Sequence, residues 1–112
     1  MAVGALIKAK REIVDDVLFD SKLEAQAYRI LRHHGLIEKA QEGVNVHVRF
    51  QCGHRIIYVD FMLSNGTCID IHNFNPGDER IIDYWRRRKE LIPYPYFVFP
   101  DVEEMKLEVL ED

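Results

Sequence analysis

The sequence predicts a small mixed α/β fold, and three observations predict it. The 112 residues are 47% apolar, enough for one modest core. The apolar period switches from helical to alternating and back along the chain. The resulting order reads helix, three strands, helix, strand and a terminal helix.

The elements follow in turn. Residues 3–18 are helix-compatible through Ala5, Leu6, Ile13, Val14 and Val17. Ser21-Lys22-Leu23-Glu24 is a capping box, in which serine and the glutamate three residues on satisfy free amides reciprocally. Leu23, Ala27, Ile30 and Leu31 continue at helical spacing and Gly35 supplies a left-handed stop, which predicts a helix over 22–34. Val44, Val46, Val48 and Phe50 then alternate with Asn45, His47 and Arg49, the period of a strand with one buried face. Cys52-Gly53 marks a turn; strands are predicted over 55–63 and 67–74. Pro76-Gly77-Asp78 starts a helix over 79–91 that ends before Pro93. Tyr96–Phe99 is a short apolar strand, and the tail is expected to be helical.

Composition excludes several classes. The 30% of charged residues belongs to a folded chain, and no run of about 18 apolar residues exists to span a membrane. The N-terminal aliphatic residues precede Lys8, Lys10 and Arg11, the reverse of a signal peptide. Cys52 and Cys68 are too few for a disulfide framework, so a reducing, cytoplasmic compartment is expected. The net charge of −4 is uneven: Asp101–Asp112 carries six acids and one base, and residues 1–100 are nearly neutral. An acidic total therefore leaves a nucleic-acid partner open.

The second hairpin fixes what faces what. A two-residue Asn65-Gly66 turn would set Phe61 opposite Asp70, an apolar face against a charged one. A three-residue loop, Ser64-Asn65-Gly66 with glycine left-handed, sets Phe61 opposite Ile69 and Val59 opposite Ile71 on one face. Asp60 and Asp70 then oppose each other on the second face, flanked by Tyr58 and His72. The Cβ atoms of such a pair lie about 5 Å apart, and like charges so placed are unfavourable unless a cation bridges them or one is protonated. A hard divalent ion, Mg²⁺ or Mn²⁺, suits two carboxylates. A solvent-facing pair with no ligand is the alternative.

At this point the residues resemble a known pattern. The order αβββαβ, with Glu24 on the helix, Asp60 on the second strand and Asp70-Ile71-His72 on the third, resembles the PD-(D/E)XK nuclease superfamily. Phe19-Asp20-Ser21-Lys22-Leu23-Glu24-Ala25, Tyr58-Val59-Asp60-Phe61 and Arg87-Arg88-Lys89 are similar to small phage-type endonucleases related to Holliday-junction resolvases. The endonuclease subunit of heteromeric transposases is a more distant likeness. The resemblance covers about residues 19–100 and implies a restriction-endonuclease-like core, a mixed sheet flanked by helices, within a single domain of residues 1–112. It implies hydrolysis of DNA phosphodiesters, with branched DNA as a substrate and a virus or mobile element as a source. Asp60, Asp70, the Ile71 carbonyl and Glu24 would hold the metal, and His72 stands where the family has lysine. Imidazole there would act as base, charge stabiliser or ligand, or would mark a lost activity.

Other residues carry competing readings. Glu24 is already explained as the capping partner of Ser21. Arg86, Arg87, Arg88 and Lys89 read either as a solvated helix face or as phosphate contacts, with Lys22 a further phosphate candidate. Cys52, His54, Cys68 and His72 lack zinc-ligand spacing. His33 and His34 suit a helix C-terminus. Trp85, Tyr94, Tyr96, Phe97 and Phe99 read as core. One site per chain implies a homodimer or a partner subunit for cutting both strands. Two rivals to an endonuclease remain: a nuclease-derived DNA- or protein-binding module that has lost catalysis, and a metal-free structural protein.

Overall fold

The computed structural model describes residues 11–111. Its elements are β1 (Glu12–Val14), β2 (Val17–Phe19), α1 (Lys22–His33), β3 (Val46–Cys52), β4 (Arg55–Met62), β5 (Cys68–Ile71), α2 (Glu79–Leu91), β6 (Tyr96–Phe99) and α3 (Leu107–Leu110). β1 and β2 form a separate two-stranded ribbon; the main sheet runs β3-β4-β5-β6, with β5 and β6 parallel and the other pairs antiparallel. Among the described residues no helix is long and apolar enough to cross a membrane.

The helix expected at the start is replaced by the β1–β2 hairpin, and residues 3–10 of that expectation lie outside the described residues. Val14 pairs with Val17, leaving Asp15 and Asp16 as a two-residue loop with φ of 50° and 67°. A twisted hairpin demands two left-handed residues there, and aspartate tolerates that conformation better than most. Val17 and Phe19 are buried while Leu18 is exposed, so period two prevails over the weak helical pattern. The Tyr28 hydroxyl donates to Asp15 Oδ2 at 2.5 Å and accepts from the Ala40 amide at 2.9 Å, tying the ribbon to α1.

α1 and α2 lie where the sequence sets them. Ser21 Oγ accepts from the Glu24 amide at 3.1 Å, and Asp78 caps α2 by accepting from the Arg80 amide at 3.0 Å. Gly35, at φ +69°, provides the left-handed stop after α1. One sheet face buries Phe61, Ile69 and Ile71 against Ala27, Tyr28 and Leu31 of α1; the other gathers Ile57, Val59, Cys68 and Tyr96 with Trp85 of α2. The tail forms only the four-residue α3, but Met105 and Leu110 are buried in the α1-side core.

The hairpin register is the one the three-residue loop requires. Phe61 faces Ile69, and Leu63 N–H donates to Thr67 O at 2.8 Å across Ser64-Asn65-Gly66, with Gly66 at φ +88°. Two alternation expectations fail nearby. Val46, opposite Phe61, packs on the α1 side, whereas Val48, opposite Val59, packs on the α2 side. Between them His47 adopts φ +50°, a left-handed residue in mid-strand, so the pleat of both strands reverses without a change of register. Val44–Phe50 consequently do not share a face: Val44 is exposed outside the strand, and Val59 is separated from Ile71 by the sheet.

Candidate active site where two strands part

Beyond Phe61–Ile69 the ladder between β4 and β5 gives way to side chains. The Asp60 amide donates to Asp70 Oδ1 at 2.8 Å, and the Ile71 amide donates to Asp60 Oδ2 at 2.8 Å. Each carboxylate thus fills the place of a backbone carbonyl and holds the opposite strand. This satisfies two amides that the parting strands would otherwise leave unpaired. It also brings together the opposed aspartates the register predicts.

The cation beside Asp70 comes from the protein itself. Arg88 of α2 donates to Asp70 Oδ2 and to the Tyr58 carbonyl, each at 2.6 Å, and the Tyr96 hydroxyl donates to the same Oδ2 at 2.5 Å. Asp70 and Arg88 side chains are 6% and 15% exposed, a desolvated pair. Burial works against the Arg88 charge, but the Tyr96 hydrogen bond and the Asp70 carboxylate outweigh it and raise its pKa. The Tyr96 hydroxyl is raised as well, first by burial and then by Asp70. Arg88 therefore does not belong to a solvated phosphate face: four consecutive helix residues point four ways, and this one points inward. Arg86 and Arg87 are exposed and lie 3.7 and 2.8 Å from Asp83; Lys89 and Lys22 are exposed.

Among the described residues no cation bonds Asp60. Burial, then the charges of Asp70 and Glu24, push its carboxyl up to about 8, against the pull of the Ile71 amide. Glu24 is buried, and its Oε1 accepts from His47 Nε2. Its amide completes half of the capping box while its carboxylate turns to the site. His47 Nδ1 lies 2.8 Å from Glu42, and the bond to Glu24 is the main reason its imidazole is raised to about 9. The residue that breaks the β3 pleat thus aims its ring at Glu24.

The predicted metal shell is only partly assembled. Asp70 Oδ2 is occupied by Arg88 and Tyr96, while Ile71, whose carbonyl the shell calls for, is tied to Asp60 through its amide. Among the described residues, the group with ligand atoms all within 4.8 Å of one another is Asp20, Glu24 and His47. Asp20 sits one residue before the α1 cap and was legible only as part of the segment leading into it. Alternation makes His47 an outward strand residue, and no local signal marks its left-handed backbone. The zinc alternative is not supported: Cys52, His54, Cys68 and His72 do not gather.

Asp60 stands between two depressions. One, of about 630 Å³, is lined by Asp60, Asp70, His72, Tyr58, Trp85 and Arg88 among others; the second includes Asp20, His47 and Asp60. His72 lies just past β5, exposed, with its ring 6.0 Å from that of Trp85. Trp85, expected in the core, is only partly buried. Comparisons with protein-family models, with curated proteins and with solved structures return no match to this chain.

Proposed function

We propose that this chain is a metal-dependent DNA endonuclease of the PD-(D/E)XK kind. The observation that carries the reading is the meeting of Glu24 from α1, Asp60 from β4 and Asp70 from β5 around one parting of the sheet. Its support is electrostatic: burial first, and then the negative charges of Asp70 and Glu24, raise the Asp60 carboxyl. The mixed sheet with a helix against each face suits the restriction-endonuclease-like core that this reading requires.

The donors fit a hard divalent ion, being carboxylates. Asp60 and Glu24, with Asp20 adjoining, would hold Mg²⁺ or Mn²⁺. Such an ion would supply charge neutralisation at the scissile phosphate and acidify water for attack. The chain's own groups do the rest. Asp70, locked by Arg88 and Tyr96, positions β4 through the Asp60 amide. His47 orients Glu24. His72, at the edge of the depression lined by Asp60, Asp70 and Trp85, accepts the proton of the attacking water in place of the family lysine. Cutting both strands would call for a homodimer or a partner subunit.

The test is incubation with branched and linear DNA in Mg²⁺ or Mn²⁺. Cutting that Asp60→Asn and Glu24→Gln abolish is the expected result; an inert wild type overturns the reading. One observation favours a second reading: Arg88 already neutralises Asp70, as in a nuclease-derived binding module without catalysis. An inert protein that gains cutting through His72→Lys would establish that alternative.

A further inference from the structure

We propose that one unpaired DNA strand lies across β4 and α2, with bases in the depression lined by Tyr58, Tyr84 and Trp85 and phosphates in the groove beside it. This rests on the nuclease reading and names its substrate class. The two hollows adjoin, sharing Tyr84 and Arg88. The second, of about 600 Å³, is lined among the described residues by Arg55, Arg80 and Arg87 against one acid, Asp83, with Arg88, already paired to Asp70, at the seam between the hollows, in a chain whose net charge is −4. Ile56 and Leu91 supply its apolar floor.

The two hollows suit different parts of a nucleotide. Asp60, Asp70 and Asp78 line the first, so that phosphate enters it only where a metal is held, and its walls carry aromatic rings. Tyr58 and Tyr84 are 57% and 53% exposed, a large fraction for rings that could have joined the core. The Arg88 guanidinium carbon lies 5.8 Å from the Tyr84 ring centroid and 5.5 Å from that of Trp85, and its NH2 bonds the Tyr58 carbonyl. One guanidinium therefore adjoins all three residues of the platform. Exposed rings beside a basic groove are the pattern that binds single strands, because a base must leave its own stack to reach them. Arg87 and Arg80 can exchange partners: their ion pairs among the described residues lie at the surface, to Asp83 at 2.8 Å and Asp78 at 3.4 Å, and phosphate replaces them at little cost.

The experiment is fluorescence anisotropy of the full chain with labelled oligothymidylate of about 12 nucleotides and a duplex of equal length, in EDTA. The single strand is expected to bind about tenfold tighter or more, and Tyr84→Leu to weaken it about tenfold through lost stacking. Arg55→Gln with Arg87→Gln should lower the slope of log affinity against log salt by about 1.4. Tyr58→Leu, at an exposed strand position, serves where Tyr84→Leu fails to fold. Equal or tighter duplex binding, absence of binding, or affinity indifferent to the ring removed overturns the proposal. Binding in EDTA separates the two readings: tight single-strand binding without cutting in Mn²⁺ sinks the nuclease alone, and cutting without strand preference sinks this inference alone.

Discussion

Replacing Arg88 by methionine tests the organisation of the site most directly. The substitution keeps an unbranched apolar stem and removes the guanidinium, which bonds Asp70 Oδ2 and the Tyr58 carbonyl at 2.6 Å and the Tyr96 hydroxyl at 3.3 Å. Asp70 stays buried and keeps the Asp60 amide and the Tyr96 hydroxyl, so it loses its counter-ion but not every partner. Removing one member of a buried ion pair costs about 3–5 kcal/mol, and the two surviving hydrogen bonds set the expectation at the lower end, about 3 kcal/mol. For a chain of this length that lowers Tm by about 10–15 °C. Thermal melting in metal-free buffer is the assay. Asp70→Asn in the Arg88→Met background should recover much of the loss, because it removes the uncompensated charge. A Tm change below about 3 °C, or strictly additive single variants, would refute the view that Arg88 is the counter-ion of Asp70.

Two groups make stability fall as pH rises. The Asp60 carboxyl is raised from 3.8 to about 8, so the unfolded chain sheds that proton first and the folded state loses stability from about pH 4 to 8. Asp60→Asn should flatten that part of the urea-melt profile while leaving stability near pH 7 undiminished and abolishing any cutting. His47 is raised from 6.5 to about 9 by Glu24, so its contribution is complete below about pH 6.5 and vanishes as pH climbs through 9. His47→Gln should remove that second decline; a profile that persists unchanged would contradict the Glu24–His47 pairing. Mn²⁺ at a hundred times its Kd should stabilise the protein by about 2.7 kcal/mol, and Glu24→Gln should cancel the effect. Phe61→Ala, at a fully buried ring beside Phe19 and Tyr28, should cost about 3–5 kcal/mol in denaturant unfolding.

Much of the scaffold was legible because its signals are local. The caps of α1 and α2, the stop at Gly35, the strand Tyr96–Phe99 and the loop Ser64-Asn65-Gly66 each follow from a few adjacent residues. The opposition of Asp60 and Asp70 was legible too, since the loop length and the apolar pattern admit one register. The β1–β2 ribbon was missed because Asp15-Asp16 lacks the glycine that usually announces a tight turn, and three-residue strands show little period. The reversal at His47 was missed because alternation presumes an unbroken pleat.

The metal shell shows the same division. Residue types pointed to carboxylates and a cation, and carboxylates do converge there. Which cation meets Asp70 could not be read along the chain, because Arg88 follows Asp70 by 18 residues and reaches it only after α2 folds back over the sheet. The role of Glu24 likewise needed His47, 23 residues away. Caps, turns and registers are contests among neighbours, settled by short-range sterics and hydrogen bonds. The partner of a buried charge is chosen by desolvation, which acts only once distant elements have closed over it.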